Sequence, residues 1–124
     1  MTDSVTIARA CAQAADDKKA ADIALLDMRE AASFTDFFVI CGADSIPQIR
    51  AIADAIRIRL REDFHRRPQA EDGFPASQWV VLDYGDVVIH IFHSEKRVYY
   101  GLESLWSDVP RLDWPGLPKA RSSS

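Results

Sequence analysis

Residues 78–93 constrain the fold more tightly than any other stretch of this chain. Two apolar runs, Gln78 to Tyr84 and Val87 to His93, flank the dipeptide Gly85-Asp86. Both runs are rich in β-branched and aromatic residues, which suit a pleated strand, and a two-residue loop that begins with Gly suits a tight hairpin. Such a turn also sets the register. Tyr84 faces Val87, Leu82 faces Ile89 and Val80 faces Ile91, while Asp83 faces Val88, Val81 faces His90 and Trp79 faces Phe92. Successive side chains leave a strand on opposite faces. One face therefore carries Val80, Leu82, Tyr84, Val87, Ile89 and Ile91, a plain core surface. The other carries Trp79, Val81, Asp83, Val88, His90 and Phe92. A one-residue slip in the turn would change every cross-strand partner.

The second face has two readings. A surface that only packs a helix does not need Asp and His. A surface that docks a partner uses Trp and His, whose apolar bodies carry polar tips. The alternative is a shallower second core layer in which the Asp and the His are satisfied internally.

The rest of the chain supplies the hairpin's supports. Val5, Ala8, Cys11, Ala12 and Ala15 recur at helical spacing, with Asp3 or Ser4 available as cap. Ile23 to Met28 and Asp36 to Cys41 read as buried strands, joined through a turn at Ser33-Phe34-Thr35. Ile46 to Phe64 is the clearest helix: Ile49, Ile52, Ala53, Ile56, Leu60 and Phe64 form one apolar stripe. Asp44 or Ser45 can cap it, and Pro47 sits early, where a missing N–H does little harm. A linker with Pro68, Gly73 and Pro75 follows, and residues 94–106 are expected to turn into a short helix. A helix between strands implies a crossover and the hairpin is antiparallel, so the fold class is α/β, a mixed sheet of about five strands with helices packed on it. No repeat or long linker interrupts residues 3–106, which read as one domain. Residues 107–124, with Pro110, Pro115, Gly116, Pro118 and three terminal serines, read as a flexible tail.

Composition narrows the chemistry. The 124 residues are 48% hydrophobic, enough for a core, and 19 acids against 15 bases leave a net charge of −4. That balance counts against a wide grip on nucleic acid, DNA included, and favours a basic partner. The charge is uneven: residues 46–67 hold six Arg and three acids. Arg50, Arg57, Arg61, Arg66 and Arg67 could meet phosphate, or simply form a solvated helix face paired with Asp54, Glu62 and Asp63. No secretory leader, transit peptide or membrane span is legible, and Cys11 and Cys41 lack a CxxC spacing, so a cytoplasmic protein with two incidental thiols is expected.

Catalytic signatures are missing. His90 and His93 fall on opposite faces of one strand and no ligand set completes a metal site, so neither metal nor cofactor is expected. Asp83 and Asp86 flank a turn, where Asp commonly bonds neighbouring backbone rather than a cation. Gly42-Ala43-Asp44-Ser45 leads into a helix but lacks the lysine and glycines of a phosphate loop. No nucleophile elbow or catalytic cysteine motif occurs.

Three stretches carry a family resemblance. The first is Asp27 with Ala32-Ser33-Phe34-Thr35-Asp36-Phe37-Phe38-Val39-Ile40-Cys41. The second is the hairpin itself, a W-x-x-x-D-x-G-D-x-x-x-H run from Trp79 to His90. The third is Arg97 followed by Tyr100, Leu102-Glu103 and Leu105-Trp106. In this order and spacing the chain resembles the Iojap family of ribosome silencing factors over roughly residues 5–106. The resemblance implies a nucleotidyltransferase-like topology without its catalytic acids, and no enzymatic activity. It implies a partner, the large ribosomal subunit, bound through ribosomal protein L-fourteen, so that the small subunit cannot join and translation is repressed; a role in large-subunit maturation is also implied. Carried over by position, the partner-binding residues are Trp79, Asp83, His90 and Tyr100, with Phe92 as a neighbour. Gly101 stands where relatives usually carry an acid. An exposed aromatic face leaves a homodimer open as well. The rivals are a degenerate nucleotidyltransferase-like enzyme using Asp83 and Asp86, and an RNA-binding accessory factor using the Arg-rich helix.

Overall fold

A computed structural model describes residues 3–73, 78–94 and 109–113. The elements run α1 (Ser4–Asp17), β1 (Ala21–Asp27), β2 (Phe37–Ala43), α2 (Ile46–Phe64), β3 (Ala70–Asp72), β4 (Trp79–Asp83) and β5 (Val87–His93). They form one five-stranded sheet in the order β1-β2-β5-β4-β3, with β2 and β5 parallel and the other pairs antiparallel. The expected mixed α/β sheet is therefore observed. After β2 the chain crosses by α2 to the far edge strand β3. It then returns through β4, so that β5 slots between β4 and β2.

Local chemistry explains each boundary. Asp3 caps α1, its carboxylate accepting from the Thr6 N–H at 3.0 Å. Ser45 caps α2 by accepting from the Gln48 N–H at 3.2 Å, and the Gln48 side chain accepts in turn from the Asp44 N–H at 2.7 Å. This reciprocal pairing satisfies free donors at the helix start. His65 ends α2 in the left-handed conformation (φ 57°), its N–H donating back to Arg61.

The principal core lies between the sheet and the two helices. It holds the α1 face of Ile7, Ala8, Cys11, Ala12, Ala14 and Ala15, the α2 stripe of Ile49, Ile52, Ala53, Ile56 and Leu60, and the inward residues of every long strand. The alanines of α1 let that helix lie close to α2. All six hairpin residues sorted to the core face are buried there. Cys11 and Cys41 are free and buried, and burial pushes the Cys11 thiol up, away from reactivity.

Residues 109–113, within the stretch expected to form a tail, pair with β1. Leu26 bridges Arg111 antiparallel, the Asp27 N–H donates to the Pro110 carbonyl at 2.8 Å, and the Leu112 N–H donates to the Leu25 carbonyl at 2.8 Å. Residues 109–113 thus line the outer edge of β1, where an unpaired strand edge would otherwise face water. The Arg9 guanidinium adds a bond to the Asp113 carbonyl at 2.9 Å. Pro110 is compatible with an edge position, since it needs only to offer its carbonyl. The expected short helix over 94–106 lies outside the described residues apart from its first position.

Candidate functional site

The hairpin register is the one its turn dictates: Trp79 pairs with Phe92, Val81 with His90 and Asp83 with Val88. The turn closes with the Tyr84 N–H donating to the Val87 carbonyl at 2.9 Å, and Gly85 holds a φ of 89°, which a side chain would resist. Asp83 fixes this turn directly, one oxygen accepting from the Gly85 N–H at 2.7 Å. Asp86 pairs with Arg66 at 2.7 Å, and the same guanidinium donates to the Tyr84 carbonyl at 2.8 Å. The two acids therefore brace the turn from separate directions and do not converge on a shared point.

With the turn fixed, the second sheet face assembles an aromatic cluster. The Trp79 Nε1–H donates to His90 Nδ1 at 3.2 Å. Phe38 meets the imidazole edge-on with centroids 4.8 Å apart, and Phe92 lies 5.0 Å from Trp79 and parallel to His90 at 6.2 Å. Ala24, Leu26 and Ile40 form the aliphatic base, with Met28 and Val109 at its margin. No described helix covers this face. Phe34 continues the cluster outward, 6.3 Å from Phe38 and 69% exposed.

The imidazole is held neutral. Its Nδ1 uses a lone pair to accept from the indole, which places the proton on Nε2, and Nε2 has no partner among the described residues. Burial among three rings lowers the His90 pKa to about 4, against a smaller opposing pull from Asp83. A neutral, oriented imidazole next to an indole offers amphipathic contact area with few rotamers left to freeze, as docking surfaces require.

Of the residues singled out in the sequence, Trp79 and His90 are brought into direct contact and are half-buried, while Asp83 sits two residues from the turn on the same face. Phe92 is fully buried and supports the surface from beneath. Tyr100 lies outside the described residues. Sequence reasoning missed Phe38 and Phe34. Phe38 joins the site because β2 runs parallel to β5, with Ile40 opposite His90 and Phe38 opposite Val88. The available signal was a bulky ring in the polar turn Ser33-Phe34-Thr35, where water exposure needs a reason.

Fold and site together define a small two-layer α/β module with an aromatic cluster on one sheet face and, among the described residues, no clustered metal-ligand set. The family model "Ribosomal silencing factor during starvation" matches residues 1–124. A ribosomal silencing factor of Bacillus subtilis is 43% identical over 108 residues, spanning 87% of this chain and 91% of that relative. The chloroplastic Iojap protein of Arabidopsis thaliana is 37% identical over 113 residues, spanning 91% of this chain but 47% of the relative. Among solved structures, a Chromobacterium violaceum protein superposes with a TM-score of 0.80 at 30% identity, covering 85% of this chain and 87% of that one. A Bacillus halodurans protein superposes with a TM-score of 0.77 at 34% identity, covering 89% and 99% respectively. The chain belongs to the RsfS family of ribosomal silencing factors, the family its sequence resembles, and its role is ribosome-associated silencing of translation rather than catalysis.

Proposed function

We propose that the Trp79–His90 face docks on ribosomal protein L-fourteen of the large subunit, and that the docked domain blocks the small subunit from joining. The observation that carries this reading is the bonded Trp79–His90 pair, backed by Phe38 and Phe92, on a sheet face that no described helix covers. The two-layer build supports it: among the described residues both helices pack on the other side of the sheet, where the main core lies. The mechanism is steric. A rigid domain seated on the inter-subunit side occupies the space that the small subunit needs, and no bond is made or broken. A cytoplasmic location follows from that partner. Phe34, exposed beside Phe38, extends the contact, and Asp83 supplies a carboxylate toward a basic protein surface.

The test is co-sedimentation with purified large subunits, together with a subunit-joining assay. Wild-type protein is expected to co-sediment and to reduce joining, while Trp79→Ala and His90→Ala lose both. Binding to large subunits that both substitutions leave intact overturns the docking face. Co-sedimentation without any effect on joining overturns the steric mechanism.

A further inference from the structure

On the helix side, at the sheet edge formed by β3, lies an open cavity of about 440 Å³. Four guanidinium groups line it, from Arg57, Arg61, Arg66 and Arg67, against two carboxylates, Asp54 and Glu71. The backbone explains how they meet. Arg57 and Arg61 stand one turn apart on α2. The left-handed cap at His65 then ends the helix and brings residues 66–68 back beside it. His65 at φ 57° is a left-handed helix cap, and it sets the direction in which Arg66 and Arg67 leave the helix.

The four arginines are not equivalent. Arg57 bridges Asp54 on its own helix and Glu71 on β3, the latter at 2.8 Å, so it is held in place by both carboxylates of the cavity. Arg66 is tied to Asp86 and the Tyr84 carbonyl. Among the described residues Arg61 has only a loose pairing, with its neighbour Glu62 at 3.7 Å, and it is exposed. Arg67 is exposed and has no carboxylate partner among the described residues. Two oriented guanidiniums thus frame two available ones. Guanidinium forks bind phosphate oxygens in pairs, which suits them to such a ligand better than to a halide or a carboxyl-poor surface. No aromatic ring lines the cavity, so a nucleobase finds no stacking platform; the ligand is recognised by its phosphates alone, as a nucleic-acid backbone is.

We propose that this arginine-lined cavity grips the phosphate backbone of RNA, giving the protein a second ribosomal contact on the side of the sheet opposite its aromatic face. The net charge of −4 does not oppose it, because fields are screened beyond about 8 Å at physiological salt and the local balance decides. The inference rests on ribosome association, and not on which ribosomal protein the aromatic face meets.

The experiment uses the full chain and a labelled single-stranded RNA of mixed sequence, with fluorescence anisotropy over a KCl series. Arg61→Gln combined with Arg67→Gln removes the two available cations and leaves the Arg57 and Arg66 pairings untouched; circular dichroism checks the fold. Wild type is expected to bind at low salt. The double variant is expected to bind about tenfold more weakly, with a log–log salt slope shallower by about 1.4, roughly 0.7 for each lost phosphate contact on a single strand. Trp79→Ala is expected to bind this RNA as wild type does. Equal affinity and slope in the double variant overturns the proposal, as does a wild-type protein that binds inorganic pyrophosphate but no RNA, which would assign the cavity to a free phosphorylated ligand. Because Trp79→Ala serves as the control here, a failed docking face and a failed phosphate site give different results.

Discussion

The two faces of the sheet answer different demands with the same strands. Toward α1 and α2, the strands present Val80, Leu82, Val87, Ile89 and Ile91, aliphatic side chains sealed against aliphatic and alanine-rich helix faces. Toward the other side they present Trp79, His90 and Phe92, with Phe38 from β2 and Phe34 beyond it. The first face gains stability from close packing of rotamer-poor chains. The second keeps polar atoms, an indole N–H, an imidazole and a carboxylate, at modest cost to stability because two of them bond each other. A sheet that stabilises itself on one side is free to specialise on the other.

Substitutions that remove core volume should affect both faces most strongly. Phe92→Ala is expected to destabilise by about 3–5 kcal/mol and Leu60→Ala by about 2–5 kcal/mol, read as shifts in the urea midpoint at constant slope. The comparison is sharpened by ribosome binding at a temperature where both variants stay folded: Leu60→Ala should bind large subunits as wild type does, whereas Phe92→Ala should not. Equal binding by both would erase the functional distinction between the faces.

The next effect belongs to the aromatic side alone. His90 takes up its proton near pH 4 when folded and near 6.5 when unfolded. Between these values the unfolded chain binds the extra proton, so stability rises with pH across that window. It is complete above about pH 6.5 and falls by roughly 3 kcal/mol on descent to pH 4. Urea titrations from pH 4 to 7 on wild type and His90→Phe check this; a wild-type curve no steeper than that of the variant would show that the imidazole is not held neutral by burial.

Gly73→Ala comes third. Gly73 has φ 97°, and a Cβ there would fall 2.2 Å from the Trp79 carbonyl oxygen. Thermal melts should show a loss of about 1–3 kcal/mol, and tryptophan fluorescence should shift as β4 gives way. The smallest stability effect is expected for Phe34→Ala, within about 0.5 kcal/mol because the ring is exposed, yet large-subunit co-sedimentation should weaken. Intact binding by Phe34→Ala would confine the docking face to the strands.

Much of this was written locally in the sequence. The Gly85-Asp86 turn fixed which residues face one another, and strand alternation then divided them between two faces, because both rules act over a few bonds. The apolar stripe of 46–64 marked α2 from end to end, since helical periodicity and a Ser45 cap are also local. What the sequence left open depended on which distant segments meet. Nothing in Phe38 announces His90, fifty-two residues further along the chain, as its neighbour until β2 pairs in parallel with β5. Residues 109–113 resemble a tail until the open edge of β1 gives their backbone a partner. Arg57, Arg61, Arg66 and Arg67 spell out a basic stretch in the sequence, but only the left-handed cap at His65 and the arrival of Glu71 decide which are held and which are available. The sequence by itself determined the two helices, the four long strands and the sidedness of the hairpin, because propensity and alternation are short-range; the tertiary structure decided the short edge strand β3, which reads as linker, and the composition of the site, because strand pairing and ion pairing join residues that the chain keeps apart.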